Sequence, residues 1–285
     1  MMISVPGVYS MSDIAYHSDP CPAPSLSASI ATIINQQSLL HAFMQHPKLG
    51  KKESKDSDVF SFGRAAHALL LEADSQKVVP LPYSDFRTSK ARQMRDECVH
   101  AGDIPLCLSD YEKVSEMIKV AKGFIESSEL SGLFENGKTE QTFVGFSDCW
   151  VRGRCDYITN NRKLILDYKT VGRTANPSVF MQSVFNYGYD IQAAMYLHLN
   201  KITGHTGECD FVWLIQEKEA PYACSFIGAS QSVLDIGQKK FEFAKTKWVN
   251  ALSSNSFAGY SNNITWPEAS SWERAKAEAI GFEED

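Results

Sequence analysis

The stretch VRGRCDYITNNRKLILDYKT, Val151–Thr170, decides how this chain is read. Two runs of alternating polar and apolar residues, Val151–Ile158 and Lys163–Thr170, flank TNNRK, which is a turn by composition. On a strand alternate side chains share a face. Arg152, Arg154 and Asp156 are therefore expected on one side, with Val151, Cys155 and Tyr157 on the other. On the second strand Ile165, Asp167 and Lys169 share a side, opposite Leu164, Leu166 and Tyr168. Pairing of the strands through the turn brings Asp156 close to Asp167 and Lys169. Two carboxylates and an ammonium then converge on an otherwise apolar sheet.

Gathering like charges is costly unless something neutralises them, and a divalent cation does so. Oxygen ligands suit Mg²⁺, which retains waters and contacts substrate phosphate. Such an ion lowers the pKa of a bound water, and a neighbouring lysine orients or deprotonates that water. These are the requirements of phosphodiester hydrolysis. A D-x-K triplet alone is common and is also compatible with an exposed hairpin carrying an ordinary ion pair.

Outward from this hairpin, TEQTFVGF (Thr139–Phe146) reads as a preceding strand. A long helix is expected over about Ser178–Lys201, then strands CDFVWLIQEK and YACSFIGA around a turn at Glu219–Pro221. A last amphipathic helix is expected over about Ser230–Leu252, followed by a Trp-containing tail. Upstream, an extended arm with Pro20, Pro22 and Pro24 leads to a helix over about Ala28–Gln45, capped by Ser25 or Ser27 and stopped before Pro47. The polar KLGKKESKDSD (Lys48–Asp58) reads as a loop, and VFSFGRAAHALLLEAD (Val59–Asp74) as a helix. Another helix, Ser109–Ser127, has Ser109 as its candidate cap. The sum is α/β, a small mixed central sheet flanked by helices. It forms one domain over 1–285: a largely helical part to about 130, a catalytic sheet and helix over about 138–228, and a C-terminal helix and tail over about 230–285.

With 285 residues and a net charge of −6, the chain does not advertise nucleic-acid binding, but phosphate contacts need only a local basic face. No apolar run approaches the roughly 20 residues that span a bilayer, and no signal peptide opens the sequence, so a soluble protein without membrane contact is expected. The cysteines, Cys21, Cys98, Cys107, Cys149, Cys155, Cys209 and Cys224, are odd in number and scattered. They suit buried free thiols in a reducing compartment better than a disulfide framework or a zinc site.

Asp156 followed by Asp167-Tyr168-Lys169 resembles the D…(D/E)xK signature of the PD-(D/E)xK nuclease superfamily, and LILDYKT resembles the corresponding strand of RecB-like nucleases. His67 in GRAAHALLLE resembles that family's upstream helical metal ligand. Gln192 and Tyr196 in DIQAAMYLHL resemble its QxxxY motif, four residues apart on one helix face. Within the superfamily the likeness is to the nuclease domain of exodeoxyribonuclease VIII (RecE type), often encoded by prophages. The segments YHSDPCPAPSLSAS (Tyr16–Ser29), EQTF (Glu140–Phe143) and FVWLIQEKEAPY (Phe211–Tyr222) extend it over most of the chain. One departure is Cys155, which stands where the signature has proline.

The resemblance implies a PD-(D/E)xK restriction-endonuclease-like core and an Mg²⁺-dependent exodeoxyribonuclease, with Mn²⁺ expected to substitute. Its substrate would be ends of linear double-stranded DNA, degraded 5′ to 3′ to leave 3′ tails for recombination. It further implies a homo-oligomeric ring, a RecT-like single-strand annealing partner and the cytoplasm of a bacterial host. The implied metal ligands are His67, Asp156, Asp167 and the Tyr168 backbone carbonyl, and the catalytic set is Asp156, Asp167, Lys169, Gln192 and Tyr196. Gln192 and Tyr196 contact DNA phosphate or merely pack the helix. Glu140 is either a further acid near the metal or a surface strand residue. Arg152 and Arg154 are phosphate forks or structural ion pairs, and Arg64 is a further DNA-contact candidate. Two basic stretches, with Lys51 and Lys52 and with Arg87, Lys90, Arg92 and Arg95, would track DNA if they line a channel. The alternatives are a RecB-like endonuclease and a catalytically silent DNA-binding protein. An iron–sulfur nuclease is disfavoured because only Cys209 and Cys224 follow the Gln-Tyr helix.

Overall fold

From the N-terminus the chain lays down β1 (Gly7–Ser10), α1 (Asp13–His17), β2 (Leu26–Ser27), α2 (Ala28–Gln36) and α3 (Leu39–Gln45). Then come α4 (Phe62–Leu71), β3 (Val78–Leu81), α5 (Ser89–His100), β4 (Ile104–Cys107) and α6 (Leu108–Glu126). The central meander is β5 (Gly137–Ser147), β6 (Cys149–Thr159) and β7 (Leu164–Val171). After it follow α7 (Pro177–Asn186), α8 (Tyr189–Ile202), β8 (Asp210–Glu217), β9 (Cys224–Gly228), α9 (Gln231–Ser254) and α10 (Ser271–Ile280). The structure is a computed structural model and describes residues 2–50, 62–71 and 77–280. None of the helices described is long and apolar enough to cross a membrane.

The main sheet runs β1-β5-β6-β7-β8-β9, with β2 added alongside β6. Pairing is antiparallel except for β7 with β8 and β2 with β6. Parallel neighbours need a crossover, and α7 and α8 supply the one between β7 and β8. The sheet is therefore mixed and helix-flanked. Its two faces carry separate cores, because β7 and β8 alternate apolar residues to both sides. Ile165, Phe211 and Trp213 pack with α2, α8 and α9. Leu166, Tyr168 and Leu214 pack with α4 and α6.

Three helical expectations are corrected. The helix expected over 28–45 is two, because Ser38 caps α3 by accepting from the His41 amide at 3.3 Å. The one over 178–201 also breaks, at Gly188, which takes a left-handed φ of 72°. A Cβ there would lie 2.3 Å from Thr32 Oγ1, so both conformation and space demand glycine. Ser109 is not a cap, since α6 begins at Leu108. Of the two serines offered as caps for α2, Ser27 accepts from the Ile30 amide. The arm contains β1, α1 and β2, and the tail contains α10, none of which was foreseen.

The helix that carries Gln192 and Tyr196, α8, meets α9 at a glycine. Gly237 of α9 lies so close to α8 that an added Cβ would stand 2.0 Å from the Asp190 carbonyl oxygen. Gly237→Ala should therefore lower unfolding stability by about 1–3 kcal/mol through overpacking, read from a urea titration at unchanged m-value. An unaltered midpoint would contradict the close approach.

Candidate metal and phosphodiester site

β6 and β7 pair only at Tyr157 with Leu166 and at Ile158 with Ile165. Beyond that point they part like a fork, β6 staying with β5 and β7 with β8. The alternation along β6 also reverses there. Val151 and Cys155 pack in the core shared with α8, whereas Tyr157 packs in the core shared with α4. The expectation of one face for Val151, Cys155 and Tyr157 thus fails. Its physical reason stands opposite: Glu140 lies between the Thr139–Tyr157 and Gln141–Cys155 pairs and takes a left-handed φ of 52°. A left-handed non-glycine residue interrupts the pleat and is itself costly.

The fork leaves the backbone N–H of Tyr168 without a strand partner, and the Asp156 carboxylate accepts it at 2.7 Å. From one side α4 brings His67, whose Nδ1 lies 3.6 Å from Asp156 Oδ2 and whose ring packs on Tyr168 at 5.0 Å. The small residues Ala65, Ala66 and Ala68 around it let α4 sit tightly against the sheet. His67, Glu140 and Asp156 each present a ligand atom, all within 4.8 Å of one another. One imidazole and two carboxylates at that spacing fit a divalent cation.

Asp167 lies deeper and is fully buried. Gln192 of α8 donates to its Oδ1 at 2.9 Å, and the Lys169 ammonium is 2.6 Å from its Oδ2. Burial pushes the Asp167 carboxyl up to about 6 against the pull of Lys169, with Asp156 adding to the rise. Burial opposes the charge on Lys169, but Asp167 and Asp156 outweigh it and hold the ammonium above its ordinary value. Tyr196 is buried, one turn from Gln192, and its hydroxyl is raised well above the usual range by burial. Its ring rests on Gly153, where a Cβ would fall 2.5 Å from the ring.

A group with a raised folded pKa stabilises the fold below its unfolded value and loses that contribution as pH rises through the folded value. For Asp167 the window runs from 3.8 to about 6. Asp167→Asn should accordingly raise stability at pH 7.5 in the absence of metal, by roughly 1–3 kcal/mol, and flatten the stability profile across that window. Paired thermal melts at pH 4 and pH 7.5 check this. A variant less stable than wild type at pH 7.5 would contradict it.

A cleft of about 730 Å³ opens over the fork, lined by His67, Asp156, Glu140, Gln192, Tyr196, Arg64, Arg152 and Arg154 among others. The structure therefore brings together eight sequence-derived positions in the wall, with Asp167 and Lys169 directly behind. Arg154 is engaged with two carboxylates, Glu140 at 2.5 Å and Asp13 at 2.9 Å. Arg152 is buried and donates to Ser25 Oγ at 2.6 Å, with Asp19 at 3.6 Å, which bolts the N-terminal segment to β6. Arg64 sits on α4 one turn before His67. Arg87, Lys90, Arg92 and Arg95 lie on α5 or just before it and do not line the cleft; Arg87 and Arg95 pair locally with Asp85 and Asp96. Lys51 and Lys52 lie outside the described residues. The seven cysteines are free, four buried and three half-buried.

Sequence reasoning missed Asp13, Tyr16, Tyr187 and Tyr189 in the wall of the cleft. Tyr16 lies under both arginines, 5.4 Å from Arg152 and 6.0 Å from Arg154. Ser12 capping α1, with Asp13 in its first turn, was the one local signal available.

A forked mixed sheet carrying Asp156, Asp167 and Lys169, with helices bringing His67 and Gln192, defines a PD-(D/E)xK-type domain. The sequence matches the family described as "PDDEXK-like domain of unknown function (DUF3799)" over residues 38–266, and the chain belongs to that family. Among solved structures it is similar to a protein of Eubacterium rectale named a candidate exonuclease, with a TM-score of 0.60 at 13% identity, covering 93% of this chain and 98% of that one. A phage-related exonuclease of Haemophilus somnus matches at a TM-score of 0.34 and 14% identity, covering 81% and 96%. No curated protein matches the sequence.

Proposed function

We propose that this chain is a divalent-metal-dependent exodeoxyribonuclease acting on the ends of linear duplex DNA. One observation carries the reading: two carboxylates, an ammonium, an imidazole and a carboxamide meet at a single strand fork, open to a cleft. An ordinary surface ion pair needs no buried acid at its base. In this reading Asp156, Asp167, His67 and the Tyr168 carbonyl hold Mg²⁺ or Mn²⁺, and Glu140 completes the ligand set. The ion, when bound, supplies Lewis acidity and a water of lowered pKa.

The chain's own residues do the rest. Lys169, held charged by Asp167 and Asp156, orients the attacking water and counters charge on the phosphoryl oxygens. Because its pKa is raised, it stays protonated at neutral pH and has no free lone pair to take a proton, so positioning is its role. Gln192 fixes the rotamer of Asp167 from α8, and Tyr196 faces the same cleft beside it. Arg64 lines the cleft and contacts DNA phosphate in this reading, and Arg154 holds Glu140 in place.

End dependence, 5′-to-3′ polarity, a ring of subunits and hand-over of 3′ tails to an annealing protein belong to the same proposal and rest on the family resemblance. Linear duplex and the same DNA as a covalently closed circle, each incubated with Mg²⁺, test the first of these. Loss of the linear form with survival of the circle is expected. Cutting of the circle would make the chain an endonuclease with the same core.

A further inference from the structure

Beyond Lys169 the cleft meets an aromatic wall with a second cavity on its far side. Tyr189 forms the inner part: the Lys169 ammonium is 4.9 Å from its ring centroid, and Phe180 stacks on it at 6.0 Å. Tyr187 forms the outer part, 5.8 Å from Tyr189 and 65% exposed. Gly188, held left-handed against Thr32, fixes the turn that presents both rings. Both tyrosines line the active cleft, and both also line the adjoining cavity of about 390 Å³. That cavity is furnished with Thr170, Arg173, Gln182 and Asn186.

This second cavity is built unlike a packing defect. Its size falls in the range of small-ligand pockets, about 300–1,000 Å³. Arg173 is exposed and, among the described residues, forms no ion pair or hydrogen bond. A guanidinium offers a bidentate fork for phosphate, two carboxamides offer donors and acceptors for a base edge, and an exposed tyrosine offers a stacking face. No carboxylate lines it among the described residues, which suits an anion. Its shared wall of Tyr187 and Tyr189 sets it beside the cleft that holds the proposed scissile position.

We propose that this cavity is a subsite for one nucleotide of single-stranded DNA adjoining the bond to be cut, with Tyr187 stacking on its base and Arg173 holding its phosphate. The inference rests on the nuclease reading for its biological meaning, but it is tested without cleavage. A short single-stranded oligonucleotide carrying 2-aminopurine is titrated onto the protein in EDTA over a range of salt concentrations. Stacking on Tyr187 quenches the fluorophore in wild type, and Tyr187→Phe preserves the quench. Tyr187→Ala removes it and weakens binding about 5- to 100-fold. Arg173→Ala reduces the slope of log K against log salt by about 0.7, the value for one phosphate contact on a single strand. Both positions are exposed, so thermal midpoints stay unchanged and lost binding cannot be ascribed to misfolding. Unaltered quenching in Tyr187→Ala, or an unaltered salt slope in Arg173→Ala, would overturn the subsite. Failure of wild type to cleave any DNA with any divalent ion would instead overturn the nuclease reading, and the two failures are read in separate assays.

Discussion

Lys169→Ala is expected to slow DNA hydrolysis by about 10²–10³-fold or more, the loss seen when one preorganised donor to a developing oxyanion is removed. The side chain is held by two carboxylates and lies against Tyr189, so its position is fixed before substrate arrives. Its removal leaves Asp167 buried with only the Gln192 amide, which drives the carboxyl further towards its protonated form. The fold is therefore spared a bare buried charge, and DNA binding in EDTA should stay within about tenfold of wild type by loss of a single cation. Lys169→Arg should fail to restore the rate, because a planar fork does not fit where a compact ammonium sits 2.6 Å from Asp167. Single-turnover rates on a labelled linear duplex check this. A Lys169→Ala rate within tenfold of wild type would remove Lys169 from the chemistry.

Asp156→Asn is expected to weaken Mn²⁺ binding by at least about 100-fold, more than the 10- to 100-fold typical of residues that only support a ligand. The asparagine oxygen still accepts from the Tyr168 N–H, so the fork keeps its geometry while the charge is lost. His67→Ala should cost less, about tenfold, because the carboxylates of Asp156, Asp167 and Glu140 remain. Titration calorimetry with Mn²⁺ separates the two, and since metal binding by carboxylates competes with protons, affinity in wild type should fall as pH drops through about 6, the value of Asp167. Equal binding by wild type and Asp156→Asn would place any metal elsewhere.

The convergence of the two acids and the lysine was legible in the sequence because strand alternation is local. Asp156, Asp167 and Lys169 lie on two short strands joined by an obvious turn, and the mixed sheet follows from the same pattern. The helix breaks were not legible, since a serine or glycine within an apolar helical period signals a cap or a bend only once something packs against it. Gly188 does so against Thr32 and Ser38 does so through His41. Glu140 was ambiguous for a related reason: its left-handed backbone leaves no mark in TEQTF. The partner of Arg154, Asp13, is 141 residues away, and no periodicity reports a contact of that range. Alternation left Arg152 open between a phosphate fork and a structural ion pair; the structure shows the latter, and the arm that buries it carries only short elements with weak signals.

The proposed activity is tested most directly by release of acid-soluble nucleotides from a uniformly labelled linear duplex, in Mg²⁺ and in EDTA. Progressive release in Mg²⁺ and none in EDTA is the predicted result. An intact duplex in Mg²⁺, Mn²⁺ and every other divalent ion tried would contradict it, and would leave a PD-(D/E)xK fold without nuclease activity.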